Sequence, residues 1–94
     1  MNEPVPIKLG VVGGRRSLGF DKVISSLADK LRLTAVCDLD LEVLAGWRAR
    51  HPGIQTFSRY EDLLDKGDCD AVFIATPLPL HATQAIQALE AGKH

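Results

Sequence analysis

Residues 7–19 read IKLGVVGGRRSLG, a short apolar run that closes on two glycines, with a third glycine a few residues later. The run Ile7–Val12 predicts a first β-strand. The glycines that follow predict a tight turn, and the segment beyond them has the apolar period of a helix. A strand, a glycine turn and a helix in this order are typical of the first unit of an α/β domain.

Outward from this stretch, short apolar runs alternate with helical segments along the whole chain. Further strands are predicted at residues 33–37 (LTAVC), 54–57 and 71–75 (AVFIA). The run AVFIA is apolar on both faces, which indicates a parallel sheet covered by helices on each side. The order β-α-β-α-β-α-β-α predicts an α/β fold, half of a doubly wound, Rossmann-like sheet with strand order 3-2-1-4. The alternative is a flavodoxin-like or other small α/β fold.

Local signals predict where the helices begin, end and pack. One apolar stripe is expected on the first helix, formed by Phe20, Val23, Ile24, Leu27 and Leu31. Asp40 is expected to cap a helix over residues 41–51, and Ser58 with Glu61 fits a capping box. Gly92 stands where a helix-ending glycine belongs. Phe57 and Phe73, like Phe20, are expected in the core.

Length and composition exclude several classes of protein. The 94 residues allow one domain, and 11 Lys and Arg against 12 Asp and Glu give a net charge of −1, which does not suggest a nucleic-acid binder. No apolar run approaches the roughly 20 residues of a membrane span, and residues 1–8 do not resemble a signal peptide. We therefore expect a cytoplasmic protein. Cys37 and Cys69 stand apart from each other and from histidines, so neither a disulfide nor a metal site is expected.

Ligands of open α/β sheets bind at the carboxyl ends of the strands where strand order reverses, here between strands 1 and 4. Three segments reach this crevice or its flank: residues 13–19, 38–40 and 76–81. Gly13 would allow the tight turn, Gly14 a close approach of backbone to a phosphate, and Gly19 close packing of the helix on the strand. The N–H groups at the helix start would face the anion. The spacing departs from G-x-G-x-x-G, because Arg15 stands where the second glycine belongs.

The arginines and the first acidic residue of the crevice each allow two interpretations. Arg15 and Arg16 either contact phosphate oxygens or belong to a solvated loop tip. Asp38 follows the second strand, 25 residues after Gly13. A carboxylate there accepts hydrogen bonds from the adenosine ribose and repels a 2′-phosphate, which favours NAD(H) over NADP(H). The alternative for Asp38 is a helix cap, although Asp40 is better placed for it.

The third segment leaves strand 4 as Thr76-Pro-Leu-Pro-Leu-His81. Its two prolines stiffen the turn, and Thr76 presents a hydroxyl at the crevice. The position of His81 alone indicates a surface residue at a helix N-terminus rather than a catalytic group.

The stretch DAVFIATPLPLHATQAIQALEAGKH, residues 70–94, resembles the signature of the Gfo/Idh/MocA oxidoreductases, which include glucose–fructose oxidoreductase and inositol dehydrogenase. In that family a strand ends in Thr-Pro, a His follows within a few residues, and a helix ends in Ala-Gly-Lys-His. The glycine turn, VCDLD and SRYEDLL also resemble the family in order and spacing. The resemblance covers nearly all of residues 6–94.

The resemblance implies an NAD(P)-binding Rossmann domain of an enzyme that oxidises a hydroxyl of a sugar, cyclitol or similar small molecule. It also implies the cofactor contacts: Gly13, Gly14 and Gly19 at the pyrophosphate, Asp38 at the adenosine ribose, and Thr76, Pro77 and His81 toward the nicotinamide. Leu78 departs from the pattern, because the family often has Asn there.

Residues 1–94 are expected to be the N-terminal dinucleotide-binding part of such an enzyme. The Lys of the family's Glu-Lys-Pro motif and the substrate domain lie outside this sequence, so catalysis by this chain alone is not expected. Without a neighbouring fifth strand, AVFIA would form an unpaired apolar edge, which predicts a homo-oligomer. Two other interpretations stay open: a non-catalytic nucleotide-binding or sensing module, and a methyltransferase-like domain that binds S-adenosylmethionine.

Overall fold

A computed structural model describes residues 6–27 and 29–94 of the chain. Within this part, four strands form one parallel sheet. The strands are β1 (Ile7–Val12), β2 (Leu31–Cys37), β3 (Gln55–Phe57) and β4 (Ala71–Ile74). The helices are α1 (Asp21–Ser26), α2 (Leu41–Arg50), α3 (Tyr60–Lys66) and α4 (Leu78–Glu90), and a 3-10 turn (Arg16–Phe20) precedes α1. The strand order is β3-β2-β1-β4, as predicted.

The sheet separates two apolar clusters because successive side chains of a strand point to opposite faces. One cluster joins β1 and β2 to α1 and α2, and consists of Leu9, Val11, Ile24, Val36, Leu44, Trp47 and Ile54. The other joins the strands to α3, and consists of Val12, Ala35, Cys37, Tyr60, Leu63 and Cys69. Helices therefore cover both faces. The sheet ends at β3 and β4, and the carboxyl ends of β1, β2 and β4 converge beside the glycine turn.

The first helix differs from the prediction of one long apolar stripe. The segment begins as a 3-10 turn, α1 ends at Ser26, and Leu31 already pairs with Ile7 in the sheet. Phe20 and Val23 are 48% and 56% exposed, so the expectation of Phe20 in the core is wrong, although its ring contacts Phe73. The helix is shorter than predicted because Leu31 pairs with β1 as part of the sheet. Of the five residues of the predicted stripe, Ile24 is the one that is buried.

The other local signals had mixed outcomes. The side chain of Asp40 caps α2 by accepting a hydrogen bond from the Glu42 N–H at 2.9 Å, as predicted. The capping box is wrong: α3 has Arg59 at its cap position and no side-chain cap bond. Gly92 ends α4 as predicted, where its N–H donates to the Leu89 carbonyl at 3.0 Å.

The outer edge of β4 is partly covered, contrary to the expectation of an unpaired edge. The N–H of Val72 donates to the carbonyl of His94 at 2.8 Å, and the N–H of His94 donates to the carbonyl of Asp70 at 3.0 Å. Chain beyond α4 thus lies alongside the first residues of β4. None of the helices described is long and apolar enough to cross a membrane.

Candidate functional site

A cleft of about 450 Å³ lies at the carboxyl ends of β1, β2 and β4, where the strand order reverses. Its walls come from four places: the glycine turn, the end of β2, the start of α3, and the turn into α4. The lining residues are Val12, Gly13, Arg15, Cys37, Asp38, Leu39, Ser58, Tyr60, Ala75, Thr76, Pro77, Leu80 and Gln84. Five residues predicted from the sequence are thus brought together: Gly13, Arg15, Asp38, Thr76 and Pro77. Gly14, Gly19 and His81 do not line this cleft.

Gly13 forms the tight turn after β1, as predicted from the sequence. Its φ is +89°, and a Cβ there would lie 2.8 Å from the Ala75 carbonyl oxygen. Its N–H donates to the Cys37 carbonyl at 2.9 Å. A residue with a side chain would be strained and would also collide with the end of β4. Gly13 therefore lets β1, β2 and β4 end close together around the cleft.

Gly14 has a packing role that the sequence did not predict. A Cβ at Gly14 would lie 2.9 Å from Trp47 Nε1 and 3.1 Å from methyl groups of both Val36 and Val43. The indole N–H of Trp47 donates to the Gly14 carbonyl at 3.0 Å, and the ring is fully buried. The absent side chain thus makes room for α2 and β2 to pack beneath the turn. This packing explains why residue 14 is a glycine, and the close approach of a phosphate to Gly14 stays a prediction.

The surroundings of Gly19 contradict its predicted role in helix packing. A Cβ at this residue would meet no atom within 4 Å, and the residue is exposed. The predicted close packing of Gly19 against a strand is therefore wrong. The reason is that residues 16–20 form a 3-10 turn that leads the chain away from β1 before α1 begins.

Ser17 is a buried residue of the turn that sequence reasoning missed. It is fully buried, and its hydroxyl donates toward the carbonyls of Gly13 at 3.0 Å and Gly14 at 3.2 Å. Its N–H also donates to the Gly13 carbonyl at 3.1 Å. The Ser17 and Trp47 side chains together fix the path of the glycine turn. The side chain of Arg16, for which a phosphate contact was considered, lies outside the described part.

Asp38 is half-buried at the end of β2, and backbone N–H groups hold its carboxylate in place. Its Oδ2 accepts from the Arg15 N–H at 3.0 Å, and its Oδ1 accepts from the Asp40 N–H at 2.8 Å. Each carboxylate oxygen can accept a further hydrogen bond. The group is therefore an oriented anion at the rim of the cleft, with acceptor capacity left for a ligand hydroxyl. Asp40, not Asp38, caps the helix, so the alternative that Asp38 is a helix cap is wrong.

Asp40 carries two interactions, one on each carboxylate oxygen. Oδ1 caps α2, and Oδ2 pairs with the Arg15 guanidinium at 2.5 Å. The N–H of Glu42 and, after it, the Arg15 guanidinium stabilise the charged form and hold the pKa of Asp40 below its usual value. The glycine turn and the start of α2 are thus connected across the cleft rim by one ion pair.

The turn from β4 into α4 is held by its own side chains. The Thr76 hydroxyl donates to Gln84 Oε1, and His81 Nε2 donates to the Thr76 carbonyl. Since a carbonyl only accepts, Nε2 of His81 carries the proton in this contact. His81 therefore fixes the turn, from a position outside the cleft. Pro77 is exposed at the cap position of α4. The side chain of Leu78, the departure from the family pattern, is outside the described residues.

Tyr60 joins α3 to α4 and forms part of the cleft wall. Its hydroxyl donates to the Gln84 carbonyl at 2.6 Å, and burial raises its pKa above the ordinary value. Sequence reasoning missed Tyr60, Ser58 and Gln84 as lining residues. All three lie in stretches that resemble the family, Ser58 and Tyr60 in SRYEDLL and Gln84 in residues 70–94, but none of these residue types by itself indicates a ligand site.

A second cleft, of about 590 Å³, lies at the opposite ends of the strands. Several of its polar groups are bonded to one another: Lys8 Nζ pairs with Asp68 at 3.1 Å, and Thr34 Oγ1 donates to the Asp68 carbonyl at 2.6 Å. Gln55 Oε1 accepts from the Asp68 N–H at 2.7 Å. These contacts hold loops together at the amino ends of the strands. Among the residues described, no group of three metal-ligating side chains is gathered anywhere.

Comparison with known proteins places this geometry in a family. The sequence profile of the oxidoreductase family with an NAD-binding Rossmann fold, GFO_IDH_MocA, matches residues 7–94. The chain is 35% identical to the WlbA dehydrogenase of Bordetella pertussis, whose structure was solved in complex with NADH and UDP-GlcNAcA. The two structures superpose with a TM-score of 0.87, and the match covers 96% of this chain and 28% of that one. It is 33% identical to scyllo-inositol dehydrogenase of Lactobacillus casei, with bound NAD(H) and scyllo-inositol, with a TM-score of 0.83 over 96% and 27%.

Among curated proteins, the chain is 38% identical to glycosyl hydrolase family 109 protein 2 of Shewanella sp. (strain ANA-3). That match covers 94% of this chain and 21% of the relative. The chain thus spans about a fifth to somewhat over a quarter of the length of the proteins it resembles. The region of this chain that matches the family, residues 7–94, contains all of the residues that line the cleft at the glycine turn.

Proposed function

Because the chain belongs to the oxidoreductase family with an NAD-binding Rossmann fold, we propose that it binds the dinucleotide in the cleft beside the glycine turn and prefers NAD(H) to NADP(H). The observation that carries the proposal is Asp38, a carboxylate oriented by two backbone N–H groups at the rim of that cleft.

The adenosine ribose is assigned to Asp38. Both oxygens of this carboxylate keep acceptor capacity after binding the N–H groups of Arg15 and Asp40. Ribose hydroxyls are donors that match such an acceptor, whereas a 2′-phosphate would meet like charge. The fit of the ribose to this group supports NAD(H) over NADP(H).

The adenine is assigned to the outer part of the cleft, beside Leu39. This side chain is 88% exposed although it is apolar, and it lines the cleft next to Asp38. A flat apolar ring laid on Leu39 would remove that surface from water. Ser58 also lines the cleft and supplies a hydroxyl.

The pyrophosphate is assigned to the glycine turn and the nicotinamide to the end of β4. Gly13 leaves the floor of the cleft without a side chain, and Arg15, whose guanidinium pairs with Asp40, lies at its rim. Thr76 and Pro77 line the side formed by β4, and His81 positions that turn through the Thr76 carbonyl. Gly14 and Gly19 belong to this proposal only through the path of the turn, since neither lines the cleft.

The protein that contains this domain is proposed to oxidise a hydroxyl of a sugar, a cyclitol or a similar small molecule. When bound, NAD⁺ accepts a hydride from the carbon that carries the hydroxyl. The residues of this chain bind and orient the cofactor. The group that takes the hydroxyl proton is not assigned to any of them. Residues 1–94 are accordingly proposed as the N-terminal cofactor-binding domain of a longer enzyme.

The first test is calorimetric titration of the protein with NADH, NADPH, ADP and S-adenosylmethionine in parallel. We expect binding of NADH with weaker binding of NADPH and none of S-adenosylmethionine. Binding of S-adenosylmethionine alone would overturn the proposal in favour of a methyltransferase-like domain. Binding of other adenine nucleotides as tightly as NADH would favour a non-catalytic nucleotide-sensing module, because the nicotinamide half would then contribute nothing.

Self-association is a separate proposal, and it rests on β4. In the described part of the chain this strand lies at an edge of the sheet, and the backbone of His94 bonds to Val72 and to Asp70, which precedes the strand. A sheet edge of this kind can pair with a second chain. Light scattering over a range of protein concentrations is expected to show an oligomer, and a monomer at every concentration would contradict the proposal.

A further inference from the structure

The rim of the cleft holds two carboxylates and one guanidinium. Arg15 donates its backbone N–H to Asp38 and pairs its side chain with Asp40 at 2.5 Å. Among the described residues that line the cleft, Arg15 is the one cationic side chain. Its side chain is 70% exposed, and that of Asp40 is 36% exposed. An ion pair this open to water is weak, so a stronger anion could compete for the guanidinium.

A 2′-phosphate on the adenosine ribose is such an anion. It is doubly charged near neutral pH, and a guanidinium is the side chain best matched to it. The backbone N–H of Arg15 contacts Asp38, the residue to which the ribose is assigned, and the guanidinium of the same arginine contacts Asp40. A bound 2′-phosphate would therefore have to take the Arg15 guanidinium from Asp40 and also accept the repulsion of a second carboxylate.

We infer that Asp40 is a specificity-determining residue, which favours NAD(H) over NADP(H) by holding the Arg15 guanidinium in an ion pair. This inference rests on the proposed function and adds a second determinant to Asp38. Asp38 repels the 2′-phosphate directly. Asp40 acts through Arg15, by neutralising the one cation of the described cleft lining that could offset that repulsion.

The two oxygens of Asp40 allow its two roles to be separated. Oδ1 caps α2 through the Glu42 N–H, and Oδ2 pairs with Arg15. Asn is as good a cap residue as Asp, so Asp40→Asn keeps an oxygen for the cap. Its amide NH₂ cannot accept a bond from the guanidinium, and the residue carries no charge. Ser also caps helices well, so Asp40→Ser provides a second uncharged variant if the first folds poorly.

The matched control is Glu42→Gln. Glu42 is an exposed acid in the first turn of α2, and its substitution removes the same single negative charge from the same helix end. The backbone N–H that Asp40 caps stays in place. A general effect of charge on a phosphorylated cofactor would appear in both variants, whereas release of Arg15 would appear only in the variants of Asp40.

The experiment measures the dissociation constants of NADH and NADPH by calorimetry. The proteins compared are the wild type, the two Asp40 variants, Glu42→Gln, Arg15→Gln, and the double variant Arg15→Gln with Asp40→Asn. We expect Asp40→Asn to raise the affinity for NADPH relative to NADH about tenfold, equivalent to about 1.4 kcal/mol, and Asp40→Ser to act in the same direction. Glu42→Gln should change the ratio by less than about twofold. In the Arg15→Gln background, Asp40→Asn should do no more than Glu42→Gln.

Three results would overturn the inference while leaving the proposed function intact. These are NADH binding with an unchanged ratio in both Asp40 variants, an equal change in Glu42→Gln, and a full change that persists without Arg15. If the folded wild-type protein binds neither dinucleotide, the proposed function fails and the inference fails with it. Thermal unfolding of each variant confirms that the proteins compared are folded.

Discussion

Substitution of Gly14 by Ala tests whether the glycine turn is shaped by packing from below. The new methyl group would lie 2.9 Å from Trp47 Nε1 and 3.1 Å from methyl groups of Val36 and Val43. None of these atoms is the free end of a flexible side chain. Trp47 is fully buried and bonded to the Gly14 carbonyl, and Val36 is a buried residue of β2. The turn therefore has to move away from α2, and the indole hydrogen bond is stretched or lost.

The expected size of the effect follows from three contributions. Overpacking a filled site costs about 1–3 kcal/mol, and a buried hydrogen bond contributes about 1 kcal/mol. Against these, Ala in place of Gly restricts the unfolded chain, which stabilises by about 0.4–1 kcal/mol. The net loss of unfolding free energy is about 2 kcal/mol, which for a domain of this size lowers the Tm by about 8–16 °C.

The same turn provides a matched control. Gly19→Ala adds the same methyl group where no atom lies within 4 Å, at a residue without a positive φ. We expect this variant to be unchanged or more stable, by up to about 1 kcal/mol. The assay is thermal and urea unfolding followed by circular dichroism. A Gly14→Ala protein as stable as wild type, or a Gly19→Ala protein that loses as much stability, would refute the reasoning.

A double-mutant cycle identifies the neighbour responsible. Trp47→Phe removes the pyrrole part of the indole, including the nitrogen closest to the added methyl group. Gly14→Ala should therefore cost less in the Trp47→Phe background, with a coupling energy of about 1 kcal/mol. Strictly additive losses would show that the two residues do not compete for the same space.

Three further predictions concern other parts of the cleft. Tyr60→Phe removes the hydroxyl bond to the Gln84 carbonyl that joins α3 to α4, and urea unfolding should show a loss of about 1 kcal/mol, while an unchanged midpoint would contradict the contact. Burial raises the pKa of Cys37 to about 11 from 9.0. At pH 8 the Cys37 thiol in the folded protein should be alkylated about 100-fold more slowly than an exposed cysteine, and rapid alkylation would contradict the burial. The Tm should fall as the pH rises from 9 to 11, because the Cys37 thiol loses its proton more readily in the unfolded chain than in the folded protein. Asp38→Ala should weaken NADH more than NADPH in calorimetric titrations, and equal losses for the two cofactors would overturn the ribose assignment.

The strand order could be predicted from the sequence because the evidence for it is local. The strands β1, β2 and β4 contain short apolar runs, a glycine follows β1 and an acid follows β2, and right-handed crossovers leave few ways to arrange the strands. The run Ile7–Val12 and the acid Asp38 after β2 were found in this way. The same reasoning located Gly13, whose positive φ is a property of its own turn.

What the sequence did not reveal depends on contacts between distant segments. The packing of Trp47 beneath Gly14 joins residues more than thirty positions apart, and neither residue type indicates it alone. The apolar period that suggested a long first helix includes Leu31, but this residue belongs to β2 and pairs with Ile7 in the sheet. Phe20 is exposed for the same reason, because the helix that was expected to bury it is too short.

The proposal that the cleft beside the glycine turn holds the dinucleotide is tested most directly by mapping NADH binding on backbone amides by NMR. A series of ¹H–¹⁵N spectra of the protein is recorded as NADH is added. We predict that the shifts concentrate at the cleft, at Gly13, Arg15, Asp38, Leu39 and Thr76. Shifts concentrated at the opposite and larger cleft, around Thr34, Gln55 and Asp68, would contradict the account.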